Sequence, residues 1–478
     1  MSKAVVGGVV VAGVLAVAIG GSWFTGTQVE KSFRALEEEG YAFSSASGNV
    51  ELEFRSLTYE RSLFSAKART EWAVSLAGKM DDMPVFLDHE IKHGPFPSLK
   101  FATVRSTLEM PEAIPAEIRS VLMTALNGRS LIEAETRVGL DGESHQNTLV
   151  SPALDLAFPE NVQVTWGGMN ADWNVKSNGA ETSTLSAPLF AVAVPAETVT
   201  FRLEGLSATQ DLVPLDQYPK LGQGTGSFMI ERITAENAEE AFSMAVNGIR
   251  MNSEARTDDQ FLSAEANLGI EKIIVQNETI ENAGFAFRLD RLSLAPLNAI
   301  AESLEAVSVD QIDSETQQAL MENLTAVLKQ QPVMEIKRIG FKANEGELNM
   351  STRVAYTGSG DLSRPPVAAD IDADVRMAVA KPLLERILAG TVGTRHAAMV
   401  LFEEEHEEGE PDMEKLARDF AVNVVSQFEQ AGLIKADADK LTLSFQNSKG
   451  QMMLNEKPVT PAELGAMAMG VQQALQSH

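Results

Sequence analysis

The stretch DDMPVFLDHEIKHGPFPS, residues 81–98, decides between two folds. Inside it, HEIKH (89–93) matches the H-E-x-x-H zinc signature of many metallopeptidases, which needs both histidines on adjacent turns of one helix. The apolar letters and the two histidines instead recur at every second position, the pattern typical of a half-buried strand. These positions are Val85, Leu87, His89, Ile91 and His93. We therefore predict a strand here and not a zinc-binding helix.

Proline and glycine around the motif also oppose the helix. Pro84 precedes it and Gly94 follows it, which leaves about two and a half turns at 3.6 residues per turn. In a strand, His89 and His93 stand roughly 13 Å apart, with Glu90 on the opposite face, and one zinc ion cannot bridge them. We expect His93 to sit at a rigid corner. We expect His89 near the surface, where its loss costs no more than about 0.5 kcal/mol.

Composition limits the classes of partner. The chain has 478 residues, 44% of them hydrophobic, which is enough for two large lobes or one long sheet. Its net charge of −28 repels phosphate backbones, so we predict no nucleic-acid partner. A salty habitat is an alternative reason for the acidity. There is no cysteine, which excludes disulfides, thiolate metal sites and a cysteine nucleophile.

The N-terminal segment 4–24 is uncharged over 21 residues, enough to cross a hydrocarbon layer of about 30 Å as a helix. A signal peptide cleaved after Ala18 is the rival interpretation. The apolar run continues to Phe24, however, and Trp23 lies where an interfacial aromatic residue belongs. We predict an uncleaved anchor, residues 1–26, with the bulk of the chain exported.

Small residues recur every four positions along this predicted helix. Such a row lets two helices approach closely and predicts self-association in the membrane. About half of the segment is Gly, Ala or Ser, so composition alone is the competing explanation. The row contains Ala4, Gly8, Ala12, Ala16 and Gly20.

Beyond residue 26, alternating strand patterns outnumber helical ones, which favours antiparallel sheet. We predict a β-rich α+β fold: an N-terminal transmembrane helix, then an extended, mostly antiparallel sheet body with a few packing helices. Two lobes, 27–220 and 221–478, are divided near the Pro/Gly cluster at 217–227. The helical patterns cover 27–41, 111–128, 314–330, 411–432 and 461–475.

Two further motifs carry no chemistry. LGQGTGSF (221–228) resembles a phosphate-binding loop, but no helix pattern follows it, so we predict a flexible turn. The acidic run 402–412 lacks the ligand spacing of a calcium loop, so we predict a solvated loop. We predict no cofactor and no resident metal.

Several segments together resemble the YdgA family of bacterial inner-membrane proteins. They are GGSWFTG (20–26), YERSLFS (59–65), HGPFP (93–97), QPVMEIKRIGF (331–341) and NSKGQMMLN (447–455). The resemblance covers essentially the whole chain. It implies a single-pass protein of the inner membrane that faces the periplasm and self-associates, and it carries over no catalytic residue.

HGPFP is the most specific of these segments. Glycine followed by two prolines makes a rigid corner that presents an apolar ring, and rigid turns often carry function. We predict an interaction corner formed by His93, Gly94, Pro95, Phe96 and Pro97.

Three functions remain open. We favour a membrane-anchored periplasmic scaffold or assembly protein without catalytic activity, acting as a homo-oligomer. The alternative is an envelope lipid-binding or lipid-transfer protein whose curved sheet lines an apolar groove. The remote alternative is a zinc metallopeptidase acting through HEIKH.

Overall fold

The computed structural model describes residues 42–44, 50–61, 65–76, 80–93, 102–111, 114–139, 141–258, 260–305, 314–360, 367–393 and 413–476. The predicted anchor 1–26 with its small-residue row, the helix 27–41 and the acidic run 402–412 lie outside these ranges. Within the ranges, every helix is too short or too polar to cross a membrane.

Two compact units make up the chain. The first unit comprises residues 1–214 and 224–245, and the second comprises residues 215–223 and 246–478. Strand β13 (Tyr218–Asn237) contributes residues to both units. The lobe limits expected from the sequence stay a prediction.

The first unit is an antiparallel meander. Strands β1 to β7 each pair with the next strand in the chain, and β10 then returns to pair with β7. Strand β11 has β10 and the β8–β9 hairpin on one edge and β12 on the other. The bounds are β1 Ala42–Ser44, β2 Val50–Arg61, β3 Ser65–Leu76, β4 Met80–His93, β5 Ala102–Leu108, α1 Ala116–Leu126, β6 Glu133–Val138, β7 His145–Ser151, β8 Leu154–Ala157, β9 Gln163–Trp166, β10 Met169–Val175, β11 Glu181–Val194 and β12 Val199–Leu215.

Strand β4 confirms the strand predicted over 85–93. Its alternate residues Val85, Leu87 and Ile91 are buried, whereas Asp88 and Glu90 are exposed. Val85 and Leu87 pack in the same core as Trp72 and Leu149, whereas Ile91 packs in a second cluster with Val104. Helix α1 covers a second cluster around β8 and β9, as the apolar stripe of the predicted helix 111–128 requires.

The second unit is also an antiparallel meander, from β15 through β16, β17, β18 and β19 to β21. The other edge of β21 pairs with β20 and β22, and β22 pairs with β23. The bounds are β14 Phe242–Thr257, β15 Phe261–Val275, β16 Glu278–Ser293, α2 Leu294–Glu305, α3 Ser314–Lys329, β17 Val333–Ala343, β18 Gly346–Tyr356, β19 Ile371–Ala380, α4 Lys381–Leu388, α5 Met413–Gln430, β20 Lys435–Asp437, β21 Lys440–Ser448, β22 Gln451–Leu454, β23 Lys457–Val459 and α6 Pro461–Gln476.

The structure corrects one sequence expectation and confirms another. The glycine-rich run 221–228, expected as a turn, lies inside β13. Neighbouring strands override its weak propensity, because Thr257 donates to Gln223 in the second unit and the Ser227 and Thr209 hydroxyls bond in the first. The predicted NSKG hairpin is confirmed, since Gly450 takes φ +81° in the β21–β22 turn.

Candidate functional site

His89 lies in a polar cluster inside the first unit, and not near the surface as the sequence suggested. Its side chain is 6% exposed. Its Nε2 is 3.0 Å from Oγ1 of Thr70 on β3, and its Nδ1 is 2.7 Å from Oγ of Ser106 on β5. Trp72 Nε1 donates to the same Thr70 oxygen at 3.0 Å. The expectation that His89 lies near the surface is therefore wrong.

Burial keeps the His89 ring neutral. Desolvation lowers the pKa of His89 from its ordinary 6.5 to about 3, because the charged ring has lost its water. Both ring nitrogens already lie against hydroxyl groups, and Glu90 points to the exposed side in register with Lys67 and Arg105. Within the described ranges, no three His, Asp or Glu side chains converge as a metal site. The arrangement is that of a buried histidine within a strand, and differs from the helix that H-E-x-x-H zinc sites require.

Thr70→Val should cost about 1–3 kcal/mol of unfolding free energy, because it leaves the buried Trp72 N–H without its acceptor and removes a partner of His89. Thr70 is 1% exposed, so water cannot replace the lost hydroxyl. Urea denaturation measures the change. Thr148→Val is the matched control, because Thr148 bonds Asp172 on an exposed surface and should change stability by less than about 0.5 kcal/mol. Equal losses in the two variants would contradict the buried network.

The predicted corner stays a prediction. His93 is the last residue of β4, and its backbone is in register with Ala102 of β5. Residues 94–97 lie outside the described ranges. The structure thus places the start of the corner at a strand end.

The sheet of the second unit carries an apolar face. Residues directly opposite each other on paired strands point to the same side of a sheet, so the strand registers define rows across it. Two neighbouring rows are almost wholly apolar from β15 to β21, and together we call them the apolar face. The rows are Leu268, Phe285, Ile339, Met350, Met377 and Leu443, and Ala266, Phe287, Ile336, Thr352, Val375 and Phe445.

Among the residues that the structure describes, helices α4 and α5 cover one end of the apolar face. Leu383 of α4 and Val425 of α5 pack with Met377 and Leu443, at the β19–β21 end. Towards β15, large apolar side chains stay open to solvent: Leu268 is 42% exposed and Phe285 is 40% exposed. Exposed apolar patches of this kind mark interaction or ligand-binding surfaces.

The exposed region continues on both sides of these two residues. Met334 of β17 and Met251 of β14 are 41% and 45% exposed. Met334 is opposite Leu289, which points to the same side of β16 as Phe285 and Phe287. The rings of Phe285 and Phe287 are stacked with centroids 6.3 Å apart. Leu268, Phe285 and Met334 therefore lie on one exposed apolar side of the sheet.

The opposite side of the same sheet is polar and ion-paired. Lys337 Nζ lies 2.6 Å from Glu265 Oε2, and Arg376 Nη2 lies 2.8 Å from Asp374 Oδ2. Along their strands, Glu265, Asp374 and Arg376 alternate with residues of the apolar rows. Lys337 lies at a β-bulge in β17, between Ile336 and Ile339. The sheet is thus amphipathic, with one polar, ion-paired face and one apolar face.

These features define a β-rich α+β protein with mostly antiparallel sheet and a half-covered apolar sheet face. The chain belongs to the family described as bacterial protein of unknown function (DUF945), whose family model matches residues 1–462. It is similar to Protein YdgA of Escherichia coli (strain K12), with 21% identity over 505 residues, 98% of this chain and 97% of that protein. The family resemblance noted in the sequence is thereby confirmed. No solved structure matches the chain.

Proposed function

We propose that the protein is an envelope lipid-binding protein and that the apolar face of its second unit holds acyl chains. The observation that carries this proposal is the exposure of Leu268, Phe285 and Met334 on one side of the sheet. Both rows of the apolar face lack charged side chains. Hydrocarbon is the partner that such a surface gains most by contacting.

The dimensions of the exposed patch suit an acyl chain. Strands spaced by about 4.8 Å place β14 and β18 roughly 19 Å apart across the sheet. One leaflet of a bilayer, whose hydrocarbon core is about 30 Å thick in total, holds chains about 15 Å long. A chain lying across the strands therefore fits on the exposed part of the face.

Side-chain chemistry also favours flexible hydrocarbon over one fixed protein partner. Methionine recurs on this side of the sheet, at Met251, Met334, Met350 and Met377. Its unbranched, polarisable side chain adapts to partners of varied shape. Since the protein carries a net charge of −28, long-range attraction to an anionic headgroup is not the driving force. Apolar contact is.

The test is lipid retention by the full chain. Wild type, extracted in a mild detergent and studied by native mass spectrometry, should carry bound phospholipid. Leu268→Asn together with Phe285→Asn should lose most of it, because two polar side chains then interrupt the patch. Met123→Asn on α1 is the matched control, since Met123 is exposed and belongs to the first unit. Wild type without lipid, or equal retention in all three proteins, would overturn the proposal.

The scaffold function favoured by the sequence, with its homo-oligomer and its anchor in the inner membrane, stays a prediction. It makes a different use of the same surface, because a second copy would then cover the apolar face. Crosslinking through a cysteine placed at Leu268 distinguishes the two: an efficient dimer in lipid-depleted membranes favours the scaffold, and its absence favours lipid.

A further inference from the structure

A cleft lies on the polar side of the second unit's sheet, opposite the apolar face. Its volume is about 340 Å³, and its lining comes from β14, β15, β16 and β17. The floor contains Gly248, Gly269 and Gly284, and we call this feature the glycine cleft. Arg250 and Arg338 line it from the two outer strands. Leu268 and Phe285, which belong to the apolar face, also contribute to its lining.

At two of the three positions, the backbone conformation does not require glycine. Gly248 has φ +64°, which favours glycine, but Gly269 and Gly284 have ordinary strand conformations. A Cβ atom at Gly269 would meet nothing within 4 Å, and one at Gly284 only the Leu268 carbonyl oxygen at 3.4 Å. The two residues are directly opposite each other in the β15–β16 ladder. Glycine inside a strand weakens it and often marks a place where a ligand approaches the backbone closely.

The cleft also brings together two guanidinium groups and one carboxylate, Glu271, so its lining carries more positive than negative charge. Arg338 Nη2 donates to the backbone oxygen of Asn282 at 3.1 Å, which holds its guanidinium over the sheet. Neither Arg250 nor Arg338 has a carboxylate partner among the residues that the structure describes, whereas Arg288 and Arg376 on the same side are paired with Asp290 and Asp374. In a protein with net charge −28, open guanidinium groups in a cleft offer a site for an anion.

We propose that the glycine cleft binds a phosphate-bearing ligand. Arg250 and Arg338 lie on strands three spacings, or about 14 Å, apart, so their long side chains reach the floor from opposite sides. The guanidinium groups bind the phosphate oxygens. The side-chain amides of Asn252 and Asn267, which also line the cleft, add neutral donors and acceptors. The floor without side chains admits the body of the ligand between the two arginines.

The binding test uses the full chain in detergent and three probes. Inorganic phosphate, short-chain phosphatidylglycerol and short-chain phosphatidylcholine are titrated while the melting temperature is measured. A shift with inorganic phosphate identifies a free phosphate ligand. A shift with phosphatidylglycerol alone identifies a lipid headgroup. No shift with either anionic probe, or an equal shift with all three lipid and phosphate probes, overturns the proposal.

Substitutions test the two parts of the cleft separately. Arg250→Gln and Arg338→Gln should each weaken phosphate binding about tenfold. Arg353→Gln is the control, because Arg353 of β18 lies on the same polar side of the sheet but outside the cleft, and it should leave binding unchanged. Gly269→Ala with Gly284→Ala should abolish binding while the melting temperature of the free protein stays equal or rises. Gly465→Ala in α6 controls for the glycine change, because its Cβ also meets open space. Binding that survives both arginine changes contradicts the assignment.

The two proposals fail independently. Met334→Asn with Met350→Asn alters the apolar side of the sheet at residues that do not line the cleft, so that variant should keep its response to inorganic phosphate. Loss of co-purified lipid with an intact phosphate response separates the cleft from the acyl-chain surface. Loss of both responses in this variant counts against the cleft as a separate site.

Discussion

Acidification from pH 6.5 to pH 4.5 should lower the unfolding free energy by about 2–3 kcal/mol through His89 alone. Burial holds the pKa of His89 at about 3 in the folded protein, against 6.5 in an exposed chain. Between these values the unfolded chain binds a proton that the folded protein excludes, so stability falls as pH falls, by up to about 1.4 kcal/mol per pH unit. The contribution of the neutral ring is complete above pH 6.5 and is lost on the way down to pH 3.

Urea denaturation at pH 7, 5.5 and 4.5 measures this slope. Carboxylates also titrate in the range, so the comparison is between wild type and His89→Asn, which keeps a polar group in the cluster but cannot titrate. His145→Asn, on the neighbouring part of the sheet in β7, controls for a histidine change. We expect a shallower slope for His89→Asn and a wild-type slope for His145→Asn. Parallel curves for wild type and His89→Asn would show that the ring is not excluded from water.

Trp72→Ala should destabilise the protein by about 3–5 kcal/mol. Trp72 is 3% exposed and packs edge-on against Phe54, with ring centroids 5.3 Å apart and planes at 85°. Its removal leaves a cavity in the core of the first unit and deprives Thr70 of its indole N–H donor. Loss of packing and loss of a buried hydrogen bond therefore act together.

A graded series separates the two contributions. Trp72→Phe keeps an aromatic ring against Phe54 but removes the N–H, so it should lie between wild type and Trp72→Ala in denaturation midpoint. Phe285→Ala is the control for deleting an aromatic ring, because that ring is 40% exposed and should cost less than about 1 kcal/mol. A Trp72→Ala loss no larger than that of Phe285→Ala would contradict the packing described for the first unit.

Much of the architecture could be predicted from local pattern. The alternation of Val85, Leu87 and Ile91 identified β4, and the stripe through Phe420 and Val424 identified α5. Helix α4 (Lys381–Leu388) was missed, because its eight residues follow β19 without a break and are too few to show a clear helical period. Leu324 of α3, expected in a core-facing stripe, is 42% exposed. A stripe shows that a helix has an apolar side, but not that another element covers it.

By itself the sequence determined the family, the β-rich class and the strand at HEIKH, because a period of two or of 3.6 residues is a local property of the chain. Tertiary structure alone decided that His89 is buried, since that depends on Thr70 and Ser106 of two other strands. It also decided that Leu268, Phe285 and Ile339 form one row and that Gly269 meets Gly284. Strand register and helix coverage are set by partners distant in sequence, so no local pattern encodes which apolar face stays open.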